Sequence, residues 1–201
     1  MNGKVLLSTA YLPPSEYFAK LTDAEEVQIE REENYIKQTY RNRCYILSSN
    51  GPQLLTVPVL LGSFHKTPVK EIRIDYSKRW QQVHIGALVA AYRSSPFFIY
   101  YFETLEKIIL SGHELLIDLN NDLIKALLEM LDLKVKLTWT SDFTKTGETV
   151  NDFRYSISPK IESDYSPKNY IQVFNTPVDY YNRFSIVDLL FNMGTEAAGC
   201  L

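Results

Sequence analysis

Residues 35–47 read YIKQTYRNRCYIL, and this run of β-branched and aromatic residues predicts a β-strand. Side chains alternate between the two faces of a strand, so the polar residues fall into two groups. One face would carry Lys37, Thr39, Arg41 and Arg43, and the other face Gln38, Tyr40, Asn42 and Cys44. Because neither face is apolar enough for ordinary core, we treat this strand as the organising feature of the sequence.

Two interpretations of residues 35–47 stay open. In the first, they form a solvated edge strand whose basic residues discourage aggregation. In the second, two guanidinium groups and an amide on a stiff element form an anion or sugar site. The second interpretation makes candidate substrate-binding residues of Lys37, Gln38, Arg41, Asn42 and Arg43.

The composition is typical of a globular protein with a sizeable core, with 201 residues of which 45% are hydrophobic and 22% charged. We therefore expect one domain over residues 1–201. The net charge of −3 provides no global basic field and argues against nucleic acid as a partner. The two cysteines form neither a disulfide framework nor a metal-binding pattern. Since no signal peptide and no apolar run of membrane-spanning length are visible, we expect a cytoplasmic protein.

The first thirty residues predict a strand, a helix and a second strand. Residues 5–10 form a short apolar run, Ser15 can cap a helix over residues 16–21, and residues 27–30 alternate as a strand. Such a short βαβ unit indicates a parallel pair. Ligands of parallel sheets bind beyond the carboxyl ends of the strands, which places Tyr11 near any site. The alternative is that the Tyr11 loop is only a rigid connector.

The rest of the sequence continues this alternation. Pattern and turn residues predict a turn at residues 48–52, strands at 54–60, 71–75, 134–140 and 170–174, a short apolar element at 115–119, and helices with serine or asparagine caps at 77–92, 97–110, 121–131 and 186–191. We therefore predict a single α/β domain with a mixed, mostly parallel sheet, flanking helices and a β-hairpin. His84 falls on the apolar face of its helix and is interpreted either as a core histidine or as an acid–base group at a pocket wall.

Residues 141–168 form a long stretch without periodicity, which is typical of a functional or mobile loop. Lys160 follows a rigid Ser-Pro turn in this stretch and is interpreted either as an anion-binding cation or as a solvated lysine. The common phosphate-binding loops, zinc motifs and nucleophile elbow are absent from the sequence, and the three histidines are widely dispersed. The sequence therefore predicts no particular cofactor and no metal site.

Several motifs occur in a recognisable order along nearly the whole chain. They are YLPPSEYF (residues 11–18), NYIKQTYRNRC (34–44), VPV (57–59), WQQVH (80–84), AYRSSPFF (91–98), ISPK (157–160), YIQVF (170–174) and LLFNMG (189–194). In this order they resemble the WbqC-like protein family, in the form common in Bacteroidetes. Some members of that family lie in O-antigen or other surface-polysaccharide gene clusters, and the resemblance implies a transferase role without a known mechanism. Many relatives carry Gln-Pro where this chain has Thr9-Ala10.

Two functional hypotheses follow. The first is a transferase that uses an activated sugar, amino acid or acyl donor, with a small anionic or sugar-bearing substrate and a closing loop at residues 141–168. In this hypothesis His84 is the acid–base residue, and the substrate-binding residues are Tyr11, Lys37, Gln38, Arg41, Asn42, Arg43, Lys160 and Gln172. The second hypothesis is a non-catalytic binding or assembly protein of a polysaccharide gene cluster. Neither hypothesis specifies an oligomeric state.

Overall fold

Strands and helices are both present in the computed structural model, which describes residues 3–60, 66–147, 151–174 and 182–201. The strands are β1 (Lys4–Ser8), β2 (Glu26–Glu30), β3 (Arg43–Ser48), β4 (Gly51–Thr56), β5 (Val59–Leu60), β6 (Arg73–Ile74) and β7 (Lys136–Trp139). The helices are α1 (Ser15–Ala19), α2 (Trp80–Tyr92), α3 (Phe98–Leu110), α4 (Leu116–Met130) and α5 (Ile186–Met193), with 3-10 turns at Val69–Glu71 and Gly194–Cys200. This order confirms the predicted α/β class.

A parallel three-stranded sheet with the order β1-β2-β7 forms the centre of the fold. Leu7 of β1 lies level with Ile29 of β2, and Val27 of β2 lies level with Leu137 of β7. Leu7, Val27 and Ile29 are buried in the same apolar cluster as Leu123 of α4, as expected for a parallel sheet covered by helices. The predicted parallel pairing of the first two strands is therefore confirmed.

Helix α1 follows Pro14 directly, and its first residue is Ser15. The backbone N–H of Ser15 donates to the carbonyl oxygen of Phe184 (3.2 Å), and the N–H of Ile186 donates to the carbonyl oxygen of Pro13 (2.8 Å). The Ser15 cap predicted from the sequence is wrong, because this serine lies inside the helix. The start of α1 is instead fixed to the start of α5.

The predicted hairpin is present, but its first strand is shorter than the sequence pattern indicates. Strands β3 and β4 pair antiparallel with Tyr45 opposite Leu54, whereas residues 35–42 form an irregular loop. Gln38 adopts the left-handed backbone conformation (φ 59°), which interrupts an extended chain. The predicted alternation of faces before Arg43 is therefore wrong.

The asparagine cap predicted at Asn121 is also wrong, because α4 already begins at Leu116 and runs through it. Both asparagines inside α4 are used in tertiary contacts. Asn121 Oδ1 accepts a hydrogen bond from Trp139 Nε1 (3.0 Å), and Asn120 Nδ2 donates to the carbonyl oxygen of Arg41 (2.8 Å). The short apolar element predicted at residues 115–119 is thus mainly the first turn of this helix.

Serine caps are absent from α2 and α3 but present at α5. Helix α2 follows Arg79 and helix α3 follows Phe97, in neither case with a side-chain cap. Ser185 Oγ accepts a hydrogen bond from the backbone N–H of Val187 (3.4 Å), and α5 ends at Gly194, whose φ is 58°. The predicted cap and stop of the last helix are confirmed.

Two predicted strands are shortened or lost. Of residues 71–75, only Arg73–Ile74 form a strand, which pairs antiparallel with β5. Residues 170–174 form no strand in the structure. The side chains of Tyr170 and Gln172 bind Asp188 instead, so tertiary contacts override the local β pattern.

Candidate functional site

Polar and charged groups gather where the parallel strands end. Strand β1 ends at Ser8 and strand β2 at Glu30, and both residues are buried. Just beyond β2, Glu33 receives two hydrogen bonds from Arg41, from Nε to Oε1 (2.9 Å) and from Nη2 to Oε2 (2.6 Å). The Arg41 and Glu33 side chains are only 4% and 1% exposed. This geometry is a bidentate buried ion pair.

Arg41 also holds two hydroxyl groups of the surrounding chain. Its Nη2 donates to Ser8 Oγ (2.7 Å) and its Nη1 donates to Thr39 Oγ1 (3.2 Å). The Arg41 guanidinium is thus engaged on several sides by groups of the protein itself. We conclude that Arg41 fixes the loop of residues 35–42 against the end of β1.

A second buried ion pair lies beside the first. Arg154 Nη1 donates to Glu30 Oε2 (2.9 Å), and both side chains are fully buried. Arg154 Nε and Nη2 also donate to the two carboxylate oxygens of Asp152 (2.9 and 2.6 Å). Burial raises the pKa of Asp152, but the hydrogen bonds and charge of Arg154 outweigh this and hold that pKa below its usual value. Arg154 thereby fixes the irregular segment to the end of β2.

Ser8 joins the two ion pairs. Its hydroxyl accepts from Arg41 and donates to the carbonyl oxygen of Arg154 (3.0 Å). A cavity of about 10 Å³, sufficient for one water molecule, lies here. It is lined by Leu7, Ser8, Thr9, Ala10, Tyr17, Tyr40, Arg41, Phe153, Arg154 and Ile157.

Residues 151–157 cover this end of the sheet. The N–H of Leu6 donates to the carbonyl oxygen of Asn151 (3.0 Å), and the N–H of Phe153 donates to the carbonyl oxygen of Leu6 (2.9 Å). In the described parts of the stretch predicted to be irregular, residues 141–147 and 151–168, no helix or extended strand is present. Further along, Lys160 Nζ reaches the carbonyl oxygen of Lys37 (3.4 Å), which joins this stretch to the loop of residues 35–42.

Tyr11 and His84 form a separate buried pair. The Tyr11 hydroxyl lies 2.8 Å from His84 Nδ1. Burial lowers the pKa of His84 to about 4, against a smaller opposing effect of the Thr56 carbonyl, so this imidazole is neutral near pH 7. Neither Tyr11 nor His84 lines the cavity at Ser8. The acid–base role of His84 therefore stays a prediction.

The remaining candidates from residues 35–47 differ widely in exposure. Lys37 and Gln38 are exposed, and Arg43 is partly buried with no hydrogen-bond partner for its Nε. Asn42 is buried and its Nδ2 donates to the carbonyl oxygen of Val57 (2.8 Å). The structure thus brings Arg41 to the sheet edge but directs the Asn42 amide nitrogen toward the start of β5.

Gln172 lines a different part of the molecule. It contributes to a groove of about 600 Å³, together with Tyr170 and Asn192. Behind this lining lies Asp188, which is fully buried. The groove that contains Gln172 and the cavity at Ser8 share no lining residue. The residues predicted to form one site therefore lie in at least three places, which are the sheet edge, the Tyr11–His84 pair and the groove.

The comparison with known families agrees with the motifs of the sequence. The model of the family described as "WbqC-like protein family" matches residues 9–166. This chain belongs to the WbqC-like protein family. A relative from Mycobacterium tuberculosis (strain ATCC 25618 / H37Rv), described as "Uncharacterized protein Rv1507c", is 30% identical over 224 residues, which cover 98% of this chain and 96% of the relative. No solved structure matches the chain significantly.

Two kinds of feature are absent from the described part of this WbqC-like protein. No group of three or more histidine, cysteine, aspartate or glutamate side chains could hold a metal ion. Among the same residues, no helix combines the length and the apolar character needed to cross a membrane.

Sequence reasoning missed most of the partners that the WbqC-like fold places at the sheet edge. No recognisable motif contains Glu30, Glu33 or Arg154. The Glu30–Arg154 pair joins residues 124 positions apart. One available signal was the acidic end of β2, where Glu30 closes a strand of alternating polar and apolar residues. Another was the spacing of Asp152 and Arg154 within the irregular stretch.

Proposed function

We propose that this WbqC-like protein is a cytoplasmic transferase of bacterial surface-polysaccharide (O-antigen-like) biosynthesis that uses an activated sugar, amino acid or acyl donor. One observation carries the proposal: Ser8, Arg41 and Arg154 meet beside a cavity at the carboxyl end of β1. Ligands of open parallel sheets bind at this end of the strands. The polysaccharide context rests on the family resemblance.

The two buried arginines give this site rigidity rather than free positive charge. Arg41 is neutralised by Glu33, and Arg154 is neutralised by Glu30 and Asp152. We therefore assign Arg41 and Arg154 a positioning role, in which they hold the Ser8 hydroxyl and the backbone around it. Rigid support of this kind fixes the groups that contact substrate.

Cations nearer the surface would bind an anionic donor substrate. Arg43 has an unpartnered Nε, and Lys160 is exposed and reaches the loop that also carries Lys37. Together with Gln38 on the same loop, these groups can meet a phosphate or carboxylate at the mouth of the covered edge. His84, which is hydrogen-bonded to Tyr11, is the acid–base candidate.

Substrate entry requires the segment of residues 151–157 to move. Phe153, Arg154 and Ile157 line the cavity, which in this closed arrangement holds no more than a water molecule. Opening would break the backbone hydrogen bonds between Leu6 and this segment. Closure over a bound substrate would then exclude water from the reaction, as lid segments do in other enzymes.

The test is thermal unfolding of the full chain with nucleotides, nucleotide sugars, amino acids and acyl-CoA. A ligand at about 100 times its dissociation constant should add about 2.7 kcal/mol to the free energy of unfolding, which is a shift of roughly 5–10 °C for a chain of this size. Ser8→Ala removes the hydroxyl between the two arginines and should abolish most of the shift. Product formation from the donor that shifts the unfolding temperature then tests transfer itself.

Ser15→Ala provides the matched control. Ser15 is buried like Ser8, but its hydroxyl has no hydrogen-bond partner and does not line the cavity. This variant should keep the full ligand-induced shift. Equal shifts in Ser8→Ala and wild type would remove the sheet edge as the binding site.

A non-catalytic binding protein is the second candidate, and one observation favours it. Ile99 and Tyr100 on α3 are 74% and 69% exposed, which leaves large apolar side chains in solvent. A stable complex with a protein encoded in the same polysaccharide gene cluster, lost in Tyr100→Ser and formed without any donor, would favour this candidate over the transferase.

A further inference from the structure

The groove that contains Gln172 has an unusual chemical balance. Its volume is about 600 Å³, and it is lined by Ser94, Pro96, Asn169, Tyr170, Ile171, Gln172, Val173, Asn192 and Met193. None of these lining residues carries a charge. Pro96, Ile171 and Met193 supply apolar surface, and Ile171 is 87% exposed. The groove therefore has the size and the mixed lining of a small-molecule site.

Asp188 lies directly behind this lining. Tyr170 Oη and Gln172 Nε2 both donate to Asp188 Oδ2, each at 2.5 Å. Asn192 Nδ2 donates to the backbone carbonyl oxygen of the same residue (2.7 Å). Two groove-lining side chains thus bind the buried carboxyl group of Asp188, and a third binds the backbone of the same residue.

Buried acceptor atoms are left over around this carboxyl group. Asp188 Oδ1 and Gln172 Oε1 have no hydrogen-bond partner in the structure. The hydroxyl of Ser95, between the lining residues Ser94 and Pro96, has none either. Buried polar atoms are normally paired, because an unpaired one costs free energy. Gln172 lines the groove, so its unpaired Oε1 favours a ligand that brings hydrogen-bond donors.

Asp188 also lacks a positive partner, unlike the buried carboxylates at the sheet edge. Glu33 pairs with Arg41 and Glu30 pairs with Arg154, whereas Asp188 forms no ion pair within the part of the chain that the structure describes. Burial raises the pKa of Asp188, although hydrogen bonds from Tyr170, Gln172 and Tyr92 oppose the rise. A cation in the groove would relieve this imbalance.

We propose that the groove binds a small molecule whose ammonium group lies at Gln172 and Asp188 and whose apolar body lies along Pro96, Ile171 and Met193. An ammonium group offers three donors and no acceptor, which suits a site with unpaired acceptors and no cation. This site is separate from the one proposed at Ser8 and does not depend on the transferase proposal.

Hexylamine and hexanol are matched probes for this proposal, because they share an apolar chain and differ in charge. Binding to the full chain is measured by calorimetry and by chemical-shift changes. We expect hexylamine to bind roughly ten- to a hundred-fold more tightly than hexanol, as for one charge-assisted hydrogen bond. Asp188→Asn should abolish this preference, and Asp118→Asn, which changes an exposed aspartate, should keep it.

The pH dependence provides a second readout. A primary amine such as hexylamine stays charged below about pH 10, so changes between about pH 5 and 8 report on the protein. Among the described residues, Tyr92 from α2 and Tyr170 are the titratable groups that act on the pKa of Asp188, and both are phenols. Hexylamine affinity should rise with pH as Asp188 ionises, and should be independent of pH in Asp188→Asn.

Gln172→Met keeps the test decisive if Asp188→Asn does not fold. It removes the amide that lines the groove at similar side-chain length and should reduce the preference for hexylamine by at least several-fold. The proposal is overturned if wild type binds hexylamine no better than hexanol at millimolar concentration. It is equally overturned if folded Asp188→Asn or Gln172→Met keeps the wild-type preference.

Discussion

The protein buries carboxylates in two regions and treats them in opposite ways. At the carboxyl edge of the parallel sheet, Glu30 and Glu33 are each paired with an arginine that is itself buried. At the groove, Asp188 is held by neutral donors, which include Tyr170, Gln172 and Tyr92. The same chemical group is therefore part of a closed ionic network in one region and uncompensated in the other.

The difference indicates in which region the protein itself satisfies the interactions of its buried carboxylates. A buried ion pair whose hydrogen bonds are satisfied costs little to keep but much to break, because removal of one partner strands the other charge. An uncompensated carboxyl group costs free energy in the free protein and can recover it by binding. The sheet edge is thus a rigid support, and the groove is the region with unused interactions.

The largest expected effect is that of Arg154→Met. This variant leaves Glu30 and Asp152 without their cation and should lower the free energy of unfolding by about 3–5 kcal/mol. Urea denaturation measures the change. Arg73→Met is the matched control, because its ion pair with Glu114 is exposed on both sides and should contribute less than about 1 kcal/mol. Similar losses in both variants would refute the structural role of the buried network.

A smaller effect is expected for Tyr11→Phe, which tests a buried neutral pair between the two extremes. Loss of the hydroxyl leaves His84 Nδ1 unpaired, which should cost about 1–3 kcal/mol. Tyr76→Phe removes a hydroxyl from an exposed residue and should change stability by less than about 0.5 kcal/mol. Thermal unfolding of the two variants separates a buried pairing requirement from a general effect of losing a phenol hydroxyl.

The smallest effect at neutral pH is expected for Asp188→Asn, within about 1 kcal/mol of wild type, since no cation is stranded. Its pH dependence carries the information. Because the folded-state pKa of Asp188 is raised above the ordinary 3.8, its stabilising contribution is complete below that value and is lost as pH rises through the folded-state pKa. Stability relative to wild type should therefore shift in favour of Asp188→Asn as pH rises from about 4 to 7.

Asp152 at the sheet edge should titrate in the opposite sense. Its folded-state pKa is lowered below 3.8, so its contribution is present above that value and is lost as pH falls. Denaturation curves of Asp188→Asn and Asp152→Asn at a series of pH values compare the two regions directly. Matching slopes against pH would contradict the contrast between them.

The sequence predicts the regular elements better than the site, because regular elements follow local patterns and the site depends on tertiary contacts. Strands β1, β2 and β7 and the capped helix α5 follow from local patterns that the fold preserves. Residues 35–42 look equally strand-like, yet Gln38 takes a left-handed conformation and Arg41 turns to Glu33. Residues 170–174 likewise have a strand-like sequence pattern but form no strand, and Gln172 contacts Asp188 instead.

Some partners in both regions lie far apart in the chain, and local spacing carries no information about those pairs. Arg154 is 124 positions from Glu30, and Gln172 is 16 positions from Asp188 with no shared element. Arg41 was identifiable as a candidate, but its saturation by Glu33 and Ser8 depends on how the loop of residues 35–42 folds back. Only the three-dimensional arrangement distinguishes a positioning arginine from an anion-binding one.

The cover formed by residues 151–153 has a consequence for self-association of the protein. β1 borders the sheet, and Leu6 forms backbone hydrogen bonds with Asn151 and Phe153 on its outer side. Any opening of this segment would expose unpaired backbone groups that a neighbouring molecule could bind. Opening at the proposed site thus carries a risk of self-association that rises with protein concentration.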